Sequence, residues 1–145
     1  MLAIMKKLLP TMLAGAAGLA ALAVPALAAD PIAGNWVTQD KNAVVTIGDC
    51  GGSVCGKITK FLETPPGGID QRDTKNPNKS LRSRKLMGLP VLTGFRQDGD
   101  EWRGEIYDPK SGKTYRSVIQ RKGPNKLEVK GCVTVFCQTQ VWTRP

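Results

Sequence analysis

After residue 33, apolar and polar positions alternate along most of the chain with the two-residue period of half-buried β-strands. Ala43, Val45 and Ile47 share one face of a β-branched run. Trp102, Gly104 and Ile106 share a face, with Glu101, Arg103 and Glu105 opposite. Leu127 and Val129 point one way, while Lys126, Glu128 and Lys130 point the other. The pattern predicts strands over 34–38, 43–47, 56–62, 89–97, 101–107, 114–120, 126–132 and 137–144. Turn chemistry separates most of them: Asp40-Lys41-Asn42, Asp98-Gly99-Asp100, Asp108-Pro109-Lys110-Ser111-Gly112 and Gly123-Pro124-Asn125. Short strands at this spacing, with no amphipathic helix after residue 30, argue for an all-β barrel or sandwich. The preferred architecture is an eight-stranded antiparallel up-and-down barrel, because closure removes exposed strand edges.

Between the predicted third and fourth strands the alternation stops. Pro65-Pro66-Gly67-Gly68 cannot continue a strand, and residues 70–88 form a long polar loop holding Arg72, Lys75, Lys79, Arg82, Arg84 and Lys85. A loop this long within a small domain is usually functional or disordered.

The first 28 residues carry a different signal. Lys6 and Lys7 precede an apolar run, and Ala26-Leu27-Ala28 has the small-x-small form of a cleavage site. The expected mature chain is therefore residues 29–145, a single domain, exported to the periplasm or secreted. An uncleaved membrane anchor is the alternative reading of the same run. Nothing later in the sequence is apolar for long enough to be an integral membrane helix. Removing Lys6 and Lys7 lowers the formal net charge from +9 to +7. That balance suits an anionic surface or an acidic ligand, or keeps the protein soluble, and export disfavours nucleic acid as a partner.

Four cysteines, at 50, 55, 132 and 137, suggest two disulfides in an oxidising compartment. A zinc site is the rival, disfavoured by the absence of histidine and by the wide gap within each pair. Local bridges Cys50–Cys55 and Cys132–Cys137 would each be worth about 2 kcal/mol of loop entropy, against about 4.6 kcal/mol for a long Cys50–Cys137 bridge. Hairpin geometry nevertheless favours the local pairing, since cysteines across a tight reversal already lie near bridging distance.

The inventory for catalysis is poor. Without histidine there is no Ser-His or Cys-His pair, and no cofactor or metal motif is present. Asp70 with Asp73, Ser111 with Lys113, or Asp73 with the tyrosines are the remaining combinations. Each has an ordinary explanation in ion pairing or turn formation. The chain reads as a non-enzyme.

Several ordered motifs resemble the bacterial family numbered domain of unknown function 2147. They are Gly34-Asn35-Trp36, Asp73-x-x-Asn76-Pro77, Leu81-Arg82-x-Arg84, the run from Tyr107 to Tyr115, and Trp142-Thr143-Arg144. Lys85 and Met87 depart from the proline and cysteine more frequent there. The resemblance implies a small exported protein with a lipocalin-like barrel. In that wider pattern a Gly-x-Trp on the first strand packs under an arginine from the last, which gives Trp36 and Arg144 a structural role.

Ligand-binding candidates follow from residue chemistry and expected position. Arg82 and Arg84 offer guanidinium forks, and Asn76 donates and accepts. Asp73, Tyr107, Tyr115, Trp102 and Gln140 complete the set. Asp73, Asn76 and Arg82 also fit a purely local role, bonding the loop to itself. On the last strand Gln138, Gln140, Trp142 and Arg144 share a face, and the sequence leaves open whether that face points in or out. The leading expectation is a barrel that binds a small amphipathic or acidic molecule under the basic loop. The alternative is a filled, rigid barrel that meets an envelope or protein partner through that loop.

Overall fold

A computed structural model describes residues 14–23 and 28–145. Lys6, Lys7 and most of the cleavage pattern lie outside the described residues. The described fold is all-β. Strands β1 (Gly34–Val37), β2 (Ala43–Asp49), β3 (Val54–Phe61), β4 (Pro90–Asp98), β5 (Glu101–Asp108), β6 (Lys113–Arg121), β7 (Lys126–Val133) and β8 (Phe136–Thr143) follow one another around a closed antiparallel barrel. The strands differ from the sequence-based ranges by up to two residues at each end. One 3-10 turn, Lys79–Leu81, lies in the long β3–β4 connection. Among the described residues no helix is long and apolar enough to cross a membrane.

Alternation sets which way each residue faces. Val45, Ile47, Ile58, Leu92, Phe95, Ile119, Leu127, Val129 and Trp142 are buried in one core. Lys57, Thr59, Arg103, Glu105, Arg116 and Lys130 alternate with inward positions on their strands, so the outer wall is polar and charged. A lipid-facing barrel would instead carry an apolar outer band. At Gly104 on β5 a Cβ would come within 2.6 Å of the Thr93 carbonyl and 2.7 Å of the Phe95 ring. Glycine there lets β4, which shifts register between Thr93 and Arg96, lay Phe95 across the interior.

The antiparallel order puts the β2–β3, β4–β5 and β6–β7 turns at one end with the N-terminal segment, and this end is closed. Residues 29–33 run across it, with Ala29 and Ile32 buried. Their carbonyls accept in turn: Gln97 Nε2 donates to Ala29 O at 3.1 Å and Trp102 Nε1 to Asp30 O at 2.9 Å. Arg121 Nη1 donates to Pro31 O at 2.9 Å and Trp36 Nε1 to Ile32 O at 2.8 Å. Arg144 Nη2 reaches Ala33 O at 3.4 Å, while its guanidinium carbon lies 3.9 Å from the Trp36 ring centroid. A second cation, Arg121, approaches the same ring at 5.9 Å.

Both disulfides are local. Cys50–Cys55 spans the β2–β3 reversal with Cα atoms 5.8 Å apart, and Cys132–Cys137 joins registered residues of β7 and β8 at 4.0 Å. Two such bridges are at home in an oxidising, non-cytoplasmic environment.

Gly34 has φ +127, and the space a Cβ would occupy there is filled by the Arg144 guanidinium. Gly34→Ala is therefore expected to cost about 1–3 kcal/mol, through backbone strain and loss of the stack. Urea unfolding of Gly34→Ala, Arg144→Ala and the double variant checks this. The two losses should be non-additive, because both act on one contact.

Candidate functional site

The other end of the barrel is open and leads into a cavity of about 840 Å³. Its depth is apolar, lined by Val45, Ile58, Val91, Ile106, Val129 and Trp142. Trp142 settles the orientation of β8: the indole is buried, so Gln138 and Gln140 turn inward with it and both line the cavity. Trp142 Nε1 donates to Gln140 Oε1 at 2.9 Å, which fixes that amide and leaves its NH2 facing the space. Tyr107 and Tyr115 add phenols on the β5–β6 wall, and Asn42 and Gln71 add amides nearer the mouth. Two residues beyond Tyr115, Ser117 is buried with its Oγ unpartnered. The opening is framed by the β1–β2, β5–β6 and β7–β8 turns and by Pro65 and Pro66 of the long connection.

The long connection is a folded-back excursion rather than a loose flap. Arg72 and Lys85 pair as an antiparallel bridge; Asp73 N donates to Arg84 O at 2.8 Å and Leu86 N to Gln71 O at 2.9 Å. Asn78 caps the 3-10 turn at its tip, accepting from Ser80 N at 3.1 Å. Leu86 and Leu89 then return the chain to the core, with Gly88 N donating to Ile58 O at 2.8 Å.

Asp73 lies in the neck of this excursion at 1% exposure. A buried carboxylate needs its lost hydration replaced, and three side chains do so. Tyr107 Oη donates to Oδ1 at 2.5 Å, Asn76 Nδ2 to Oδ2 at 2.8 Å, and Arg84 Nη2 to Oδ2 at 3.3 Å. Arg84 Nε is buried without a partner. Arg82 donates from Nε to the Asn76 carbonyl at 2.7 Å. Lys85 pairs with Asp70 at 3.0 Å and holds that carboxyl below its ordinary range. Burial, reinforced by the Asp73 hydrogen bond and charge, pushes the Tyr107 phenol up to about 12. On the far side, Gly112 at φ +72 presses against the Lys75 carbonyl, leaving no room for a Cβ.

The eight candidates thus divide by place. Tyr107, Tyr115 and Gln140 border the cavity. Asp73, Asn76, Arg82 and Arg84 form one polar cluster within the loop, linked to the cavity wall through Tyr107. Trp102 stands apart: it lies at the closed end, bonded to Asp30 O, and does not border the cavity. Leu127, on the same inward face of β7 as Val129, is also outside the lining and buried in the core. Residue alternation reports the inward face but not the depth along the barrel axis. Gly131, on the inward face of β7 with Val129, borders the cavity and follows from the same alternation. Asn42 and Gln71 had no sequence signal, because loop paths bring them to the mouth. Among the described residues no group of His, Cys, Asp and Glu is placed to hold a metal ion.

An up-and-down barrel sealed at one end by a tryptophan–arginine stack and open at the other is a lipocalin-like barrel. The fold matches that of protein HP1028 from Helicobacter pylori, described as belonging to the lipocalin family, with a TM-score of 0.69 and 22% identity. The match covers 79% of this chain and 83% of that one. The chain belongs to the bacterial family described as "Uncharacterized protein conserved in bacteria (DUF2147)", whose model matches residues 34–144. No curated protein matches the sequence.

Replacing Asp73 by Ala removes the acceptor shared by Tyr107, Asn76 and Arg84. A loss of about 1–3 kcal/mol is expected, since Arg84 is partly exposed and recovers some hydration. Limited proteolysis should show earlier cleavage within residues 62–89 while the barrel stays intact. Tyr107 gives a separate alkaline signature. Its folded pKa is raised, so the neutral phenol's stabilisation is fully present below pH 10 and is lost between pH 10 and about 12. Ultraviolet titration of Tyr115→Phe, which leaves Tyr107 as the chain's one tyrosine, checks that pKa.

Proposed function

We propose that this protein is an exported, non-catalytic carrier of a small neutral amphipathic molecule. The observation that carries the reading is the cavity. It is apolar in depth, has amides and phenols along one wall, and its volume of about 840 Å³ lies within the range of small-ligand sites. Apolar depth suits a hydrocarbon body, and Gln138, Gln140 and Tyr115 suit a polar group that hydrogen-bonds without charge.

An acidic head is less well served. Arg84 is engaged with Asp73, Arg82 with a backbone carbonyl and Lys85 with Asp70. The lining holds Lys110 as its cation against Asp40, Glu63 and Asp108, and Lys110 lies 3.7 Å from Asp40. A carboxylate brought into this cavity would lose hydration without gaining a free counter-ion. Asp73 has no spare role as a base, because its oxygens are committed to three side chains.

Export through removal of residues 1–28 is supported by the two disulfides and by the position of Ala29. It is buried, with its carbonyl bonded to Gln97, so the proposed mature chain begins where the barrel does. The unfilled interior speaks against a rigid barrel acting only through its basic loop.

The protein recovered under native conditions, examined by native mass spectrometry, should carry a small molecule or accept one. Titration with a fatty alcohol, a fatty acid and an alkyltrimethylammonium of equal chain length tests the head group. The alcohol should bind at least about tenfold more tightly than the acid, given the cost of an unpaired buried charge. A barrel that binds none of them would sink the reading. Gly131→Leu provides the site test. A Cβ there meets only ordinary contacts, with Ile106 at 3.7 Å and Tyr115 at 3.9 Å, so the added side chain should narrow the cavity and weaken binding with little loss of stability.

A further inference from the structure

The β7–β8 hairpin projects beside the mouth with Val133, Val135 and Phe136 at 57%, 86% and 78% exposure. We propose that this tip is a docking element through which the mouth settles on an anionic lipid surface. The proposal stands apart from the identity of the carried molecule.

Local chemistry sets the tip apart from an ordinary turn. Thr134 takes φ 53 at the first central position of a two-residue hairpin, where glycine is the usual occupant. A β-branched residue in that region is strained. The bend is secured by the Cys132–Cys137 disulfide at its base and by Arg116, whose guanidinium bonds the Thr134 carbonyl. A turn serving only to reverse the chain would carry polar residues. This one presents valine and phenylalanine to solvent on a braced support. Leu62, also exposed, follows β3 at the same end.

Charge around the tip selects the occupant. Arg116 is registered with Cys132, Lys113 begins the same strand, and Lys110 lies in the preceding turn. Lys41 lies in the β1–β2 turn at this end, and Lys75 abuts the β5–β6 turn at Gly112. Asp40, Glu63 and Asp108 oppose them; Asp40 pairs with Lys110, and Asp108 accepts from Ser111. Cations flanking an apolar tip complement an anionic leaflet, where basic residues add to apolar insertion. A second copy of the chain would bring like charge to like, at a formal net charge of +7 without Lys6 and Lys7. A lipid surface is also the phase in which an amphipathic cargo resides, and the tip adjoins the cavity opening.

The test uses the disulfide-bonded protein and sedimentation with vesicles of phosphatidylcholine alone, or of equal parts phosphatidylcholine and phosphatidylglycerol. Binding is expected to the anionic vesicles and much less to the neutral ones. Val135 does not border the cavity. Val135→Asp should therefore lower vesicle partition by about tenfold or more, while fatty-alcohol binding in vesicle-free buffer stays unchanged. Val135→Leu should retain vesicle binding, and Lys113→Glu should reduce the preference for anionic lipid. No binding to either vesicle, equal binding to both, or full binding by Val135→Asp overturns the proposal. So does a self-association, seen by ultracentrifugation, that Val135→Asp abolishes without any vesicle binding. The vesicle assay needs no cargo, so a failure of the carrier reading leaves its result intact.

Discussion

Barrel closure depends on how β1 meets β8, and the backbone contributes little there. β1 is four residues long, and Val37 with Thr143 is its one registered pair with β8. Side chains complete the seam. Arg144 lies over Trp36, reaches the Ala33 carbonyl, and occupies the space where Gly34 lacks a Cβ. Gln39 Oε1 accepts from Val141 N at 2.8 Å on the other side. A cation on an indole face is a modest interaction, about 0.5–2 kcal/mol. Here it stands where a ladder of backbone hydrogen bonds would otherwise be needed to keep an edge strand paired.

That seam helps to explain why the two ends of the barrel differ. Two of its residues, Trp36 and Arg144, also bind the segment 29–33 across the floor, and the large side chains Trp36, Phe95 and Leu127 pack at that end. In the other half, inward positions such as Val45, Val129, Gly131 and Gln140 are small or polar, and they leave space. The long β3–β4 connection does not fill that space. It folds on itself around Asp73, and Tyr107 attaches it to the barrel wall. A buried carboxylate with three partners gives this irregular segment one defined path, which apolar contacts from Leu86 and Leu89 alone would not specify.

Much of the architecture was readable because nearly every strand has one wet face. Alternation on β5 and β7 separates Ile106 and Val129 from Glu105, Glu128 and Lys130 without reference to any partner strand. β8 was ambiguous for a physical reason: both of its faces carry polar residues, because one of them faces a cavity. Trp102 shows a second limit, since its inward direction follows from the pattern but its depth depends on register with Gln97 and Ile119. The loop arginines show a third. Their residue types suit an anion, yet their partners are set by a backbone path that brings Arg84 to Asp73, eleven residues away, and sequence spacing does not encode such a path.

The floor segment also fixes how the molecule can be oriented. Residues 29–33 cross the closed end with five consecutive carbonyls engaged, so Ala29 is held at the pole opposite the mouth. A leader or engineered tether attached there would hang the barrel from its base, with its mouth turned away from the anchoring surface. Release of such a tether would free the molecule to turn over, and a reporter fused at this pole would leave the opening unobstructed.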